Sequence, residues 1–119
     1  MALTPCKPFN GDWEEVSCTL VDTTHSSNSI ACYKNENLKL AFVSGIAYSF
    51  PSSATGGDQT IFRGLPEPIV PNVRVNLTDA TNKANVGYIK KETGTNNTIF
   101  TAYKGNDSYL CFTCVYPYK

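Results

Sequence analysis

The stretch "TIFRGLPEPIVPNVRVNL", Thr60 to Leu77, sets three prolines between two runs that read as strands. Proline has no N–H for a sheet ladder, so Pro66, Pro68 and Pro71 cannot lie inside a central strand. A linker, a polyproline ligand and a fixed crossover within one domain would each explain them. Strands of similar character lie on both sides, and neither half could bury a core alone. That argues against a linker. Apolar Ile61, Leu65, Ile69 and Val70 interleave with the prolines, which suits packing better than a solvated polyproline helix. The reading is a crossover: one strand ends at Gly64-Leu65, the prolines hold the chain extended, and the next strand begins near Val73. The prolines would also blunt a sheet edge where the chain changes sheets.

Outward from this run, alternation dominates. "WEEVSCTLV", Trp13 to Val21, alternates loosely as one strand, and "SIACYKNENLKLAFVSGIAYSF" reads as a hairpin turning at the polar "KNEN". Its second arm, Leu38 to Phe50, places Leu38, Leu40, Phe42 and Ser44 on one face and Lys39, Ala41 and Val43 on the other. Gly45 in that arm predicts a bulge or a close backbone approach. After the prolines come "NVRVNLTD", "NVGYIKKE", "NTIFTAYKG" and "SYLCFTCVY", separated by turn-forming segments. Only Asp79 to Asn85 hints at helical periodicity. Strands recurring at about ten-residue spacing predict an all-β antiparallel sandwich or barrel.

The 119 residues suit one domain large enough for its own core. Ten basic and ten acidic residues leave no net charge, which argues against nucleic acid as the main partner. Lys83, Lys90 and Lys91 form the nearest basic cluster and read as a solvated strand edge. No run of 18 apolar residues exists, so no membrane insertion is expected, and no signal peptide is visible. The five cysteines, Cys6, Cys18, Cys32, Cys111 and Cys114, are odd in number, and most are read as free, buried thiols. A single bridge tethering the Cys6 segment is the other reading.

Candidates for chemistry are thin. "CFTC", Cys111 to Cys114, has knuckle spacing, but on a strand residues three apart point to opposite faces. Leu110, Phe112, Cys114 and Tyr116 would share one face. His25, the single histidine, sits in a turn-like segment without a second ligand nearby. Glu14 and Glu15 would face opposite sides, and "TGGDQ" lacks the lysine and helix of a phosphate loop. Sequons at Asn76, Asn96 and Asn106 matter only in a eukaryotic secretory route. No catalytic residue, metal or cofactor is expected. Aromatic faces offer the clearest binding chemistry, and Tyr48, Tyr103, Tyr109 and Tyr118 abut polar turns or the C-terminus, where exposure is expected.

The order "IACYKNENLKLAFVSGIAYSF", a polar loop, then "TIFRGLPEPIVP" resembles the C-terminal head (receptor-binding) domains of bacteriophage tail fibres and baseplate proteins. "VGYIKKETG", "TIFTAYKGN" and "YLCFTCVYPYK" resemble their continuation, so the likeness spans about Val16 to Lys119. It implies a jelly-roll-like β-sandwich over residues 1–119, trimeric, at the tail tip of a virion. Residues 1–12 would be an N-terminal extension or the end of a truncated shaft. The implied function is non-enzymatic recognition of a bacterial cell-surface saccharide or protein. A structural trimerisation or attachment domain, or a small secreted lectin-like sandwich, are the alternatives. The family's binding residues follow no fixed motif, so none transfers to this chain.

Overall fold

A computed structural model of the chain describes residues 12–21, 29–47, 58–79, 84–103 and 110–119. The strands are β1 (Trp13–Glu15), β2 (Thr19–Leu20), β3 (Ser29–Asn35), β4 (Leu40–Ala47), β5 (Asp58–Arg63), β6 (Asn72–Asp79), β7 (Ala84–Lys91), β8 (Thr98–Tyr103) and β9 (Leu110–Pro117). No helix occurs among the described residues. The nine strands among the described residues join in one antiparallel sheet, ordered β1-β3-β4-β9-β6-β7-β8-β5-β2.

Period-two patterning decides which side is core. In β6, Val75 and Leu77 are buried while Arg74, Asn76 and Thr78 are exposed. In β9, Leu110, Phe112 and Tyr116 are buried, with Cys114 beside them and Thr113, Val115 and Pro117 outward. Register then carries this face across the sheet. Leu77 lies opposite Phe112, Val75 opposite Gly87, and Ile89 opposite Phe100.

Curling brings the two halves of the sheet face to face. β8 and β9 are separated by β6 and β7, so three strand spacings, about 14 Å, divide them along the sheet. Yet the rings of Phe100 and Phe112 stack with centroids 4.7 Å apart, and Phe62 of β5 joins them at 5.0 and 5.7 Å. Phe62 and Phe100 are fully buried and Phe112 nearly so. Gly45 makes room for this cluster. A Cβ there would meet the Ser29 carbonyl oxygen and come within 3.2 Å of the Phe112 ring. Of the two expectations for Gly45, close backbone approach is the one realised.

The edges of the sheet are stitched by one short segment. "WEEVSCTLV" is not the single strand the alternation suggested: β1 pairs with β3, and β2 pairs with β5 at the far edge. Glu15 and Thr19 are four residues apart, a reach of about 14 Å at most, so both edges must lie close together. Val16 donates its N–H to Cys32 O at 2.8 Å on one side, and Val21 donates to Ile61 O at 3.0 Å on the other.

Other departures are local. The second hairpin arm starts at Leu40 rather than Leu38. The buried Asn35 accepts the amides of Asn37 and Leu38 at 3.0 Å each and so shapes the turn. Asp79, Ala84 and Asn85 belong to strands, so these ends of the weakly helical segment are extended. β7 lies inside the sheet between β6 and β8, so Lys90 and Lys91 are not on an edge strand. Lys83, His25, Cys6 and Asn106 lie outside the described residues.

Phe100→Ala is expected to lower unfolding free energy by about 3–5 kcal/mol, because it empties the contact joining both halves of the sheet. Urea denaturation of wild type and variant measures this. A loss below about 1 kcal/mol would show that the rings do not hold the curl.

Candidate functional site at the proline crossover

The chain leaves β5 at one side of the curled sheet and re-enters at β6, three positions away in strand order. Gly64 makes the exit at φ 96°, a conformation that favours glycine, and a Cβ there would lie 3.1 Å from the Ser17 carbonyl oxygen. Gly64 and Leu65 donate their amides to Thr98 O at 3.1 and 3.3 Å, and the Leu65 side chain is buried.

From Pro66 onward the run lies along the end of β9. The Tyr116 hydroxyl, carried by a fully buried side chain, donates to Pro66 O at 2.8 Å. Burial among apolar groups is the main reason this phenol stays protonated far above its ordinary range. Lys119 N donates to Glu67 O at 2.8 Å, Ile69 N donates to Pro117 O at 3.2 Å, and Pro68 bridges Tyr118. Proline cannot donate, so the ladder is built from the carbonyls of Pro66, Glu67 and Pro117 and from the neighbouring amides. The expected crossover is therefore present, but it joins two strands of one sheet, and Pro66 and Pro68 lie against the interior strand β9 instead of blunting an edge where the chain changes sheets.

Beside this rigid run lies an open groove of about 380 Å³, floored by Pro68, Ile69, Val70 and Pro71 and walled by Asn72, Lys90, Lys91 and Lys119. Ile69 and Val70 remain 55% and 44% exposed although both are large and apolar. Lys119 Nζ binds Glu67 Oε1 at 3.1 Å and Lys91 Nζ stands 3.8 Å from the same oxygen. The Lys119 hydrogen bond chiefly, with charge from Lys119 and Lys91, holds the Glu67 carboxyl below its ordinary range. Lys90 makes no ion pair among the described residues. The groove is thus lined by three lysines, two of them paired with its one carboxylate, beside an apolar floor. Chemically, the groove can hold an acidic group against the lysines while a ring or chain packs on the prolines and aliphatic side chains.

Of the four tyrosines singled out from the sequence, only Tyr118 has its side chain among the described residues. Tyr48 and Tyr109 lie outside the described residues, and Tyr103 ends β8, opposite Asp58. Tyr118 is buried, only 6% exposed, and so corrects the expectation of a solvent-facing ring. Its amide donates to Lys39 O at 3.0 Å, and Lys39 Nζ lies 5.2 Å from the ring centroid. Pairing at the C-terminus draws this residue inward. The groove residues were missed because Lys90, Lys91, Glu67 and Lys119 are far apart in sequence. The one local signal was the apolar pair Ile69-Val70 held between prolines.

Cys111 pairs with Ile46 and Cys114 with Val43, so the two sulfurs of "CFTC" belong to opposite faces, as the strand reading required. The four described cysteines are free thiols. Among the described residues, no group of three histidine, cysteine or acidic side chains could hold a metal ion. No family model, no curated protein and no solved structure matches this chain.

Tyr116→Phe removes the hydroxyl that holds Pro66 and is expected to cost about 1–2 kcal/mol. Amide exchange at Ile69 and Lys119 should quicken, with β7 and β8 unchanged. A separate expectation concerns acid. The Glu67 value is depressed in the fold, so its pairing contributes above the usual carboxylate pKa of 4.5 and is lost as pH falls through the lower folded value. The melting difference between wild type and Glu67→Gln should therefore shrink steadily from pH 6 to pH 3. A difference independent of pH would show that the charge is not what Glu67 contributes.

Proposed function

We propose that the domain is a non-enzymatic recognition module that binds an acidic saccharide polymer of a bacterial cell surface in the proline-crossover groove. The observation that carries this reading is the joining of a preformed apolar floor to three lysines and one carboxylate. The floor is held by hydrogen bonds from Tyr116, Ile69 and Lys119, so little ordering accompanies binding. Its volume lies in the range of small-ligand sites, enough for a sugar unit or two of a longer chain. The apolar floor would meet the C–H faces of a ring, and the lysines its carboxylate or phosphate.

The sequence resemblance to phage tail-fibre heads supports placing this module at a virion tail tip. In that setting the curled sheet serves as a sandwich-like head, and three copies would engage the surface together and gain avidity. A structural role in the trimer is the second reading. It is favoured by Val115, 56% exposed on the outer face of β9, and Leu38, 61% exposed within the hairpin turn. Such residues suit a subunit contact.

The test is binding of the protein to a panel of uronate- or phosphate-bearing bacterial polysaccharides beside neutral ones, with mass by light scattering. Acidic polymers should be retained, more weakly as salt rises. The double variant Lys90→Glu, Lys91→Glu should lose roughly tenfold or more in affinity, about 1.4 kcal/mol, while its melting temperature is kept. Equal retention of neutral polymers, or an unaffected variant, would move the ligand surface elsewhere. A trimer that binds no polymer would favour the structural reading.

A further inference from the structure

The seam where the two sheet edges meet carries a pair of thiols. Cys18 closes the link between β1 and β2, and Cys32 lies on β3, the neighbour of β1. The link is drawn onto β3 by the bond from Val16 N to Cys32 O at 2.8 Å, and Cys18 Sγ turns back to within 3.9 Å of Val16 O. Both side chains pack in the same core cluster, Cys32 only 2% exposed and Cys18 half-buried at its margin. The two thiols are close enough for each to perturb the other's titration. Register excludes the other described thiols as partners of Cys32. Cys32 and Cys114 both lie opposite Val43, on its two sides, so about two strand spacings, near 9.5 Å, divide their backbones. That exceeds the span a disulfide bridges. Cys111 belongs to the opposite face of β9.

We propose that Cys18 and Cys32 are a disulfide site, a covalent clasp that locks the seam of the curled sheet when the chain meets an oxidising medium. The oxidant is a small-molecule disulfide such as oxidised glutathione. The Cys18 thiolate attacks one of its sulfurs, the glutathione S–S bond breaks, and one glutathione thiolate leaves with the electron pair. Cys32 then yields its proton to solvent and attacks Cys18 Sγ, releasing the second glutathione thiol. Two electrons pass from the pair to the oxidant, and one S–S bond replaces another.

Order within the pair follows from its surroundings. The hydrogen bond from Cys32 favours the Cys18 thiolate, while that same pairing and burial keep Cys32 protonated. Cys18 is also the more exposed of the two, so it is the sulfur an oxidant reaches first. The clasp would close a loop from residue 18 to residue 32 and join the β1–β2 link to β3. Val16, two residues before Cys18, is already hydrogen-bonded to Cys32, so the link would form beside an existing backbone contact. On a particle assembled in a reducing cell and released to an oxidising exterior, the seam would close after folding.

The test treats the reduced, folded protein with oxidised glutathione, blocks remaining thiols by alkylation, and maps disulfides in the non-reduced digest by mass spectrometry. A Cys18–Cys32 linked peptide is expected. The melting temperature should rise on the order of 10 °C over the reduced protein, as a loop of this length predicts. Cys18→Ser should lose both the link and the rise, and Cys114→Ser should keep both. Full alkylation of Cys18 and Cys32 after oxidation would overturn the proposal, and so would a link from either to Cys6, Cys111 or Cys114. Should Cys18→Ser fail to fold, the digest of the wild-type protein alone decides.

Discussion

Contact among Phe62, Phe100 and Phe112 is the constraint on which the molecule depends. A flat sheet ordered as this one would keep Phe100 and Phe112 about three strand spacings apart. Their rings instead stack at 4.7 Å, so the sheet must curl until its halves meet. Stacked aromatic rings gain area burial together with favourable offset geometry. The absence of a side chain at Gly45 lets the backbone come close enough for the Phe112 ring to lie flat.

Once the sheet is curled, its edges and its crossover follow. The edge strands β1 and β2 lie near enough for residues 16–18 to span them, which consumes backbone groups that would otherwise stay unpaired. The proline run then crosses from β5 to β6 over the end of β9. There the Tyr116 hydroxyl and the amides of Ile69 and Lys119 give it hydrogen bonds it could not make as an ordinary strand. Rigidity of the groove is thus a consequence of the curl. Its electrostatic character comes from another source, the convergence of the end of β7 and the chain's final residue on Glu67.

Much of the fold was legible because strand patterning is local. The limits of β6, the two arms around the "KNEN" turn, the inward set Leu110, Phe112, Cys114 and Tyr116, and the crossover itself all follow from alternation and from proline chemistry. "WEEVSCTLV" was misread because its alternation is the same whether it forms one strand or two. Only partner strands decide that, and they lie at opposite edges. Tyr118 was misread for a related reason: a polar, terminal position says nothing about Pro68 and Lys39 closing over it. The groove was barely legible, since Glu67, Lys90, Lys91 and Lys119 come from separate parts of the chain and only Ile69-Val70 hinted at an exposed apolar surface.

By itself, the sequence determined an all-β antiparallel chain, the shared face of Leu110, Phe112, Cys114 and Tyr116, the opposed sulfurs of "CFTC", and the role of three prolines as a crossover. These rest on period-two geometry and on a missing N–H, which act within a few residues. Tertiary structure alone decided strand order, the meeting of the sheet edges, the partnership of Cys18 with Cys32, and the lysines gathered around Glu67. Those are contacts between distant segments, set when aromatic burial curled the sheet, and no local pattern encodes them.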